Sequence, residues 1–347
     1  MSAHAISLPH SRFSLRALLW PALALAAAYI VVPGFAPTYI VEAILLPFLA
    51  LSLAAVGLNL LTGYCGQLSL GTAAFMAVGA FAAYNLNLRI GSLPLPVSLV
   101  LAGVITAALG TVFGLPSLRL RGFYLAVSTL AAQFFVQWVL TKFGWFSNNN
   151  PSGVISAPRL VVAGLSFDSA TGRYLFSLTV VTLLTLLTWS LVEGSAGRNM
   201  IAVRDNETAA RVIGVPVLRT KLLAFAVSSF IIGVAGALWA FTYLRTVEPA
   251  GFNLDRSFQI LFIIIIGGLA SIRGAFFGAA LIVVFPLALS RLGGFLLGDL
   301  FDSGVLDMSQ RIVLGALIIL FLILEPDGLV ALWDRVRRRL LFAWQST

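Results

Sequence analysis

The chain has 347 residues, of which 60% are hydrophobic and 10% charged, with a mean hydropathy of +1.01 and a formal net charge of +9. A soluble domain carries roughly 25% charged residues, so a water-soluble fold has no surface for this much Leu, Ile, Val, Ala and Phe. The excess positive charge does not indicate nucleic acid, because Arg falls in short breaks between apolar runs, as in loops at a cytoplasmic membrane face.

A hydrocarbon core about 30 Å thick accepts helices of roughly 20 apolar residues. Ten such segments follow one another, at about 17–33, 39–61, 67–88, 94–115, 122–141, 174–192, 218–243, 257–272, 275–297 and 309–325. The expected fold is an all-α integral membrane protein of about ten transmembrane helices in one domain, residues 17–325. The tail 1–16 holds both histidines, His4 and His10, and no partner ligand accompanies them. Arg12 and Arg16 precede the first apolar run as in a signal peptide. No small-residue cleavage site follows, and the run ends at Pro33-Gly34, so a retained first helix is expected.

Residues 142–173 are rich in Asn, Ser, Gly and Pro and read as an ordered external loop. Residues 193–221 form the longest inside loop and the most polar segment. A single helix is expected there from about Arg198 to Ile213, with Gly214 in the left-handed C-terminal position and Pro216 preventing continuation. The chain closes on a basic tail, 326–347. With the N-terminus inside, fourteen of the 22 basic residues lie on the inside and eight on the outside. That bias places both termini in the cytoplasm.

Two membrane-length segments are dense in glycine: GYCGQLSLGTAAFMAVGAF (63–81) and GGLASIRGAFFGAALIV (267–283). Small residues allow close helix packing. They also suit interrupted helices whose free backbone lines a path. Both readings stand on sequence grounds.

The absences narrow the class. The lysines are Lys142 and Lys221, followed by Phe and Leu, so no GxxxxGK[ST] phosphate loop exists. HExxH, CxxC and GxSxG are missing, and the single cysteine, Cys65, excludes an intramolecular disulfide or cysteine-rich zinc cluster. No catalytic residue set can be assembled, and no metal or cofactor is expected. The thirteen acids lie in loops or near span ends, with Glu42 the deepest. Proton-driven carriers hold an ionisable group well inside the bundle, so energy for uphill transport would enter from outside this chain. The loop 193–221, where Arg204, Asp205, Asn206 and Glu207 cluster, suits a groove on a cytoplasmic partner. A solvated helix with weak local ion pairs is the plainer reading of the same residues.

The stretch GRNMIAVRDNETAARVIGVPVLRTKLLAFAVSSFIIGVAGAL resembles the signature region of the branched-chain amino-acid permease family of ATP-binding-cassette importers, its LivM-type subunits in particular. GYCGQLSLGTAAFMAVGAF, LRLRGFYLAVSTLA (118–131), IIGGLASIRGAFFGAAL and EPDGL (325–329) are similar to further blocks of that family, so the resemblance spans most of the chain. It implies an architecture similar to the vitamin-B12-type importer permeases, in the inner membrane of a bacterium. It implies partners: two ATP-binding-cassette ATPase subunits, a second related permease subunit and a periplasmic substrate-binding protein, all within membrane lipid. On this resemblance Arg198, Arg204, Asp205, Glu207 and Gly214 belong to the ATPase-coupling element. Asn59, Gln67, Ser69 and Thr72, polar at membrane depth, are candidates for the translocation path, with interhelical hydrogen bonding as their alternative role. Thr72 departs from the family pattern, which has His there in many members. The implied substrates are branched-chain or similar hydrophobic amino acids; the same family also includes permeases for urea, short amides and aromatic or alicyclic carboxylates. A self-contained secondary carrier is the alternative from another class.

Overall fold

The computed structural model describes residues 15–297, except 92, 116–121, 151–152, 159 and 163–164, together with 312–313, 315–316, 319, 323, 328–333 and 335. The expected span 309–325 falls largely outside the described residues, as do Arg119 and Arg121 and most of the basic tail. Within them the chain is an all-α membrane protein. Helix α1 covers Leu15–Phe35. Helix α2 covers Thr38–Tyr64, with a π turn at each end, Val41–Leu45 and Leu60–Tyr64. Then come α3 (Thr72–Arg89), α4 (Leu95–Gly114), α5 (Phe123–Lys142) and α6 (Ala170–Glu193). The short helices α7 (Ser195–Asp205) and α8 (Glu207–Val212) fill the polar loop. Helix α9 (Val217–Leu244) also ends in a π turn, and α10 (Leu254–Gly267) and α11 (Ile272–Leu297) follow.

Among the described residues, seven segments are long and apolar enough to cross a membrane: α2, α4, α5, α6, α9, α10 with the turn before it (Pro249–Gly267), and α11 as far as Arg291. Helix α3 is long enough, but Asn85, Asn87 and Arg89 lower the hydropathy of its final turns. Burial separates the helices by role. The apolar windows of α2 and α9 are 83% and 72% enclosed, those of α6 and α11 only 22% and 28%. The first two form the core, and the others present Leu and Val to the hydrocarbon.

The core is close-packed because its crossing points are small. Gly57 lies against Ile232 and the Ser228 carbonyl, and the Gly79 and Gly233 backbones meet directly. Ser228 Oγ donates to the Gly57 carbonyl at 2.7 Å. Lipid offers no hydrophobic drive for helix association, so such backbone approaches and interhelical bonds carry it.

Arg173 fixes the relative direction of the two core helices. Its guanidinium donates to Glu42, at the start of α2, and to the Thr242 carbonyl, near the end of α9. Helices α2 and α9 therefore run antiparallel. Around them the packing repeats with the roles exchanged: α9 lies on α3 and α4, while α2 lies on α10 and α11. Each core helix ends in a π turn followed by non-helical chain, 65–71 after α2 and a stretch containing the 3-10 turn Pro249–Phe252 after α9. Each core helix thus packs against two helices from the other half of the chain.

Two sequence expectations need adjustment. The segment expected at 67–88 becomes helical only at Thr72, since 65–71 is unwound. Arg173, expected in the outside break, lies in the first turn of α6, which begins at Ala170 with Ser169 as its cap. Burial with a carboxylate partner explains how the helix tolerates it. In the loop before α6, Ile155–Ser156 pairs antiparallel with Thr246–Val247, and Val161–Val162 with Leu165–Ser166.

Candidate functional site

The unwound segment 65–71 is buried at Cys65, Gln67, Ser69 and Gly71 and open at Gly66, so much of its backbone is out of reach of water. Each unpaired amide or carbonyl there costs several kcal/mol, so side chains from other helices take them up. Thr129 Oγ1 of α5 accepts from Leu70 N–H (2.9 Å), and Gln133 Oε1 of α5 accepts from Ala74 N–H (2.6 Å). Ser257 Oγ of α10 accepts from Ala73 N–H (2.9 Å) and donates to Gln133 Oε1 (3.2 Å). Gln133 Nε2 donates to the Phe252 carbonyl (2.9 Å), tying in the turn before α10. The first turn of α3 is therefore a junction of α3, α5 and α10, with the Ala73 and Ala74 donors taken up by Ser257 and Gln133.

Of the four residues expected on a path, two are committed and two are not. Asn59 Oδ1 accepts from Ala270 N–H at 2.9 Å, and its Nδ2 donates to the carbonyls of Ser271 (2.8 Å) and Gly268 (3.5 Å). It holds the break between α10 and α11. Ser69 Oγ accepts from Gly71 N–H at 3.4 Å, a local turn contact. Both side-chain polar atoms of Gln67, and the hydroxyl of Thr72, are buried without a hydrogen-bond partner. Such groups retain their full capacity to bind something polar.

Gln133, Thr129 and Ser257 escaped the sequence reading, although each is polar within or beside an apolar helix, which was the available signal. Both readings of the glycine-rich stretches hold in part: Gly79 serves close packing, whereas 65–71 and 268–271 interrupt helices.

The polar loop departs from the single helix expected over 198–213. Asn206 adopts φ −159° and ends α7, and its side chain then caps α8 by accepting from Ala209 N–H at 3.0 Å. An Asn side chain satisfies a fresh helix start better than it propagates an old one. Gly214 takes φ +88° and Pro216 caps α9, as the turn chemistry requires.

The loop is seated on the unwound segment. Arg204 Nη1 donates to the Gly63 carbonyl at 2.9 Å, and its guanidinium pairs with Asp205 at 2.9 Å. Gly66 has φ +70°, and a Cβ there would lie 2.7 Å from Arg204 Cγ. Only glycine fits that position. Met200 is fully buried among Leu60, Leu61, Tyr64 and Cys65. Burial pushes the Cys65 thiol up to about 12, with Lys221 opposing and Glu207 adding to the shift, so the thiol is inert near neutral pH.

Glu207 faces inward. Its carboxylate bonds Lys221 at 3.0 Å and Arg211 at 3.1 Å, and 15% of its side chain is exposed. Lys221 is more enclosed still, at 7%. Glu207 thus clamps α8 to α9. Arg198 and Asp205 are exposed. So are Val212 and Ile213 at the loop tip, 82% and 74% exposed, an apolar pair whose placement the sequence reading did not single out.

The family described as branched-chain amino acid transport system / permease component matches residues 40–322. The chain is 32% identical over 298 residues to the high-affinity branched-chain amino acid transport system permease protein LivM of Salmonella typhimurium, covering 79% of this chain and 66% of that protein. LivM of Escherichia coli gives 32% over 299 residues with the same coverage. The autoinducer 2 import system permease protein LsrC of an Enterobacter species is 29% identical over 191 residues, 53% of each chain. The chain spans about two-thirds of the length, 66%, of the two LivM relatives.

Proposed function

We propose a function from one premise: this chain belongs to the family of branched-chain amino acid transport system permease components. It is a permease subunit of an ATP-binding-cassette importer in a bacterial inner membrane. It pairs with a second related permease, two ATPase subunits and a periplasmic binding protein that delivers the substrate. Its ten spans leave both termini in the cytoplasm. Reporter fusions at Ser169 and Asn206 are expected to read outside and inside respectively, and the same side for both would refute this topology.

The observation that supports a coupled importer is the seat of Arg204, which bonds the Gly63 carbonyl at the end of α2 and rests on Gly66 of the unwound segment 65–71. Helices α7 and α8 receive ATPase closure through Arg198, Asp205 and the apolar tip Val212–Ile213. Arg204 and Met200 pass the movement to the end of α2. Segment 65–71 then carries the free polar groups of Gln67 and Thr72 toward or away from the substrate. Ser69 and Asn59 hold the breaks on either side, and Gly214 lets the chain turn back into α9.

Branched-chain or similar hydrophobic amino acids are the substrates of this reading, by likeness to LivM. A deletion strain lacking paralogous permeases is expected to lose uptake of labelled leucine, with restoration by this chain together with its binding protein. Thr72, at a position where family members often have His, supports a second reading in which the substrate is a urea, short amide or aromatic or alicyclic carboxylate. The similarity to a permease named for autoinducer 2 import shows that related chains are named for other solutes. Retained leucine uptake with lost uptake of one of those solutes would select the second reading.

A further inference from the structure

Helices α3, α4 and α5 enclose an apolar groove of about 460 Å³ on the side of α3 away from the core. Its α3 wall runs from Val78 to Arg89, twelve residues, or about 16 Å at helical rise. Leu109 and Phe113 of α4 and Phe135 and Leu140 of α5 supply the other walls. That length matches the hydrocarbon depth of a single leaflet, about 15 Å of the 30 Å core. The groove follows the length of α3, and Leu109 and Phe135 leave it open to lipid.

The end of the groove farther from α7 and α8 carries a prepared cation. Arg89 Nε donates to Asn85 Oδ1 (3.2 Å) and its Nη2 to the Trp145 carbonyl (3.0 Å), with the guanidinium 4.0 Å above the Trp145 ring. Asn85 is held in turn by the carbonyls of Phe81 and Phe146. Among the described residues no acid pairs with Arg89, and its Nη1 has no protein partner. A fixed Arg beside an interfacial Trp lies at headgroup depth, where phosphate is the available anion.

We infer that this groove is a binding site for one glycerophospholipid of the surrounding leaflet, with an acyl chain between α3, α4 and α5 and the headgroup phosphate on Arg89. The lipid fills space that would otherwise separate α5 from α3 and sets the position of Thr129 and Gln133, which cap the first turn of α3. This site is independent of the substrate assignment.

The test is native mass spectrometry of the full-length chain released from vesicles of equal phosphatidylglycerol and phosphatidylethanolamine. The parent is expected to retain one phospholipid that Ala82→Trp, which fills the groove, loses at least tenfold. Arg89→Gln is expected to keep a lipid but lose the preference for phosphatidylglycerol about fivefold. Leu109→Trp blocks the same groove from α4 and replaces Ala82→Trp should that variant fail to insert. Equal lipid retention by parent and blocked variants overturns the inference. So does efficient crosslinking of Leu109→Cys to the second permease subunit in the assembled complex, because the groove would then hold a protein helix.

Discussion

Replacing Arg204 by Ala is expected to lower substrate-stimulated ATP hydrolysis and uptake of the assembled complex roughly tenfold, without loss of membrane insertion. The guanidinium donates to the Gly63 carbonyl while its stem rests on Gly66. A hydrogen bond to a charged group contributes about 1.5–3 kcal/mol. The lower figure applies here, because 34% of the Arg204 side chain is exposed and screening weakens the contact. At about 1.4 kcal/mol per factor of ten, that loss is close to one order of magnitude. Arg204→Lys keeps the charge but not the forked geometry, and an intermediate loss is expected. Gly66→Ala approaches the same contact from the other side. At φ +70° the new methyl is strained, and it displaces the Arg204 stem. Both changes should lower substrate-stimulated hydrolysis and uptake together. Parental activity of Arg204→Ala in proteoliposomes would leave the loop a connector and the proposed relay refuted.

The second large effect concerns Glu207 and Lys221. Removing one partner of an enclosed ion pair costs about 3–5 kcal/mol, because the remaining charge is left uncompensated. Replacing both by apolar residues of similar volume is often neutral. The Arg211 contact adds little, since 65% of that side chain is exposed. Glu207→Ala or Lys221→Met alone should therefore release α8, seen as faster trypsin cleavage in the loop and a lower melting temperature. The Glu207→Leu/Lys221→Met double variant should recover most of that stability. Asp205→Ala is expected to reduce ATPase association with unchanged melting, because 55% of its side chain is exposed. If the double variant is as unstable as the single ones, the pair is not a clamp. Should Glu207→Ala weaken ATPase association without changing stability, Glu207 is a partner contact instead.

The inward position of Glu207 shows where local reading stops. From sequence it is an acid on a basic face, next to Asp205 and apparently equivalent to it. Fourteen residues separate Glu207 from Lys221, and Asn206 intervenes to turn the chain. Only that turn sends one carboxylate to solvent and the other into the bundle. The case of Arg173 is similar. It looks like a loop cation, and its partner Glu42 lies 131 residues earlier.

What the sequence determined by itself was the medium, the helical class, the approximate extent of most helices, and the family. These follow from local quantities: hydropathy over about 20 residues, the restricted backbone of Pro, the permissive backbone of Gly and the capping chemistry of Asn and Ser. The Gly214–Pro216 turn needed nothing more. Tertiary structure alone decided which polar side chains remain free. Asn59, Gln67, Ser69 and Thr72 look alike as polar residues in an apolar stretch. Asn59 is occupied by the chain at 268–271, whereas Gln67 and Thr72 find no partner. In a water-poor interior every donor and acceptor must be matched across helices distant in sequence. The identity of the match depends on lateral packing, which hydropathy does not encode.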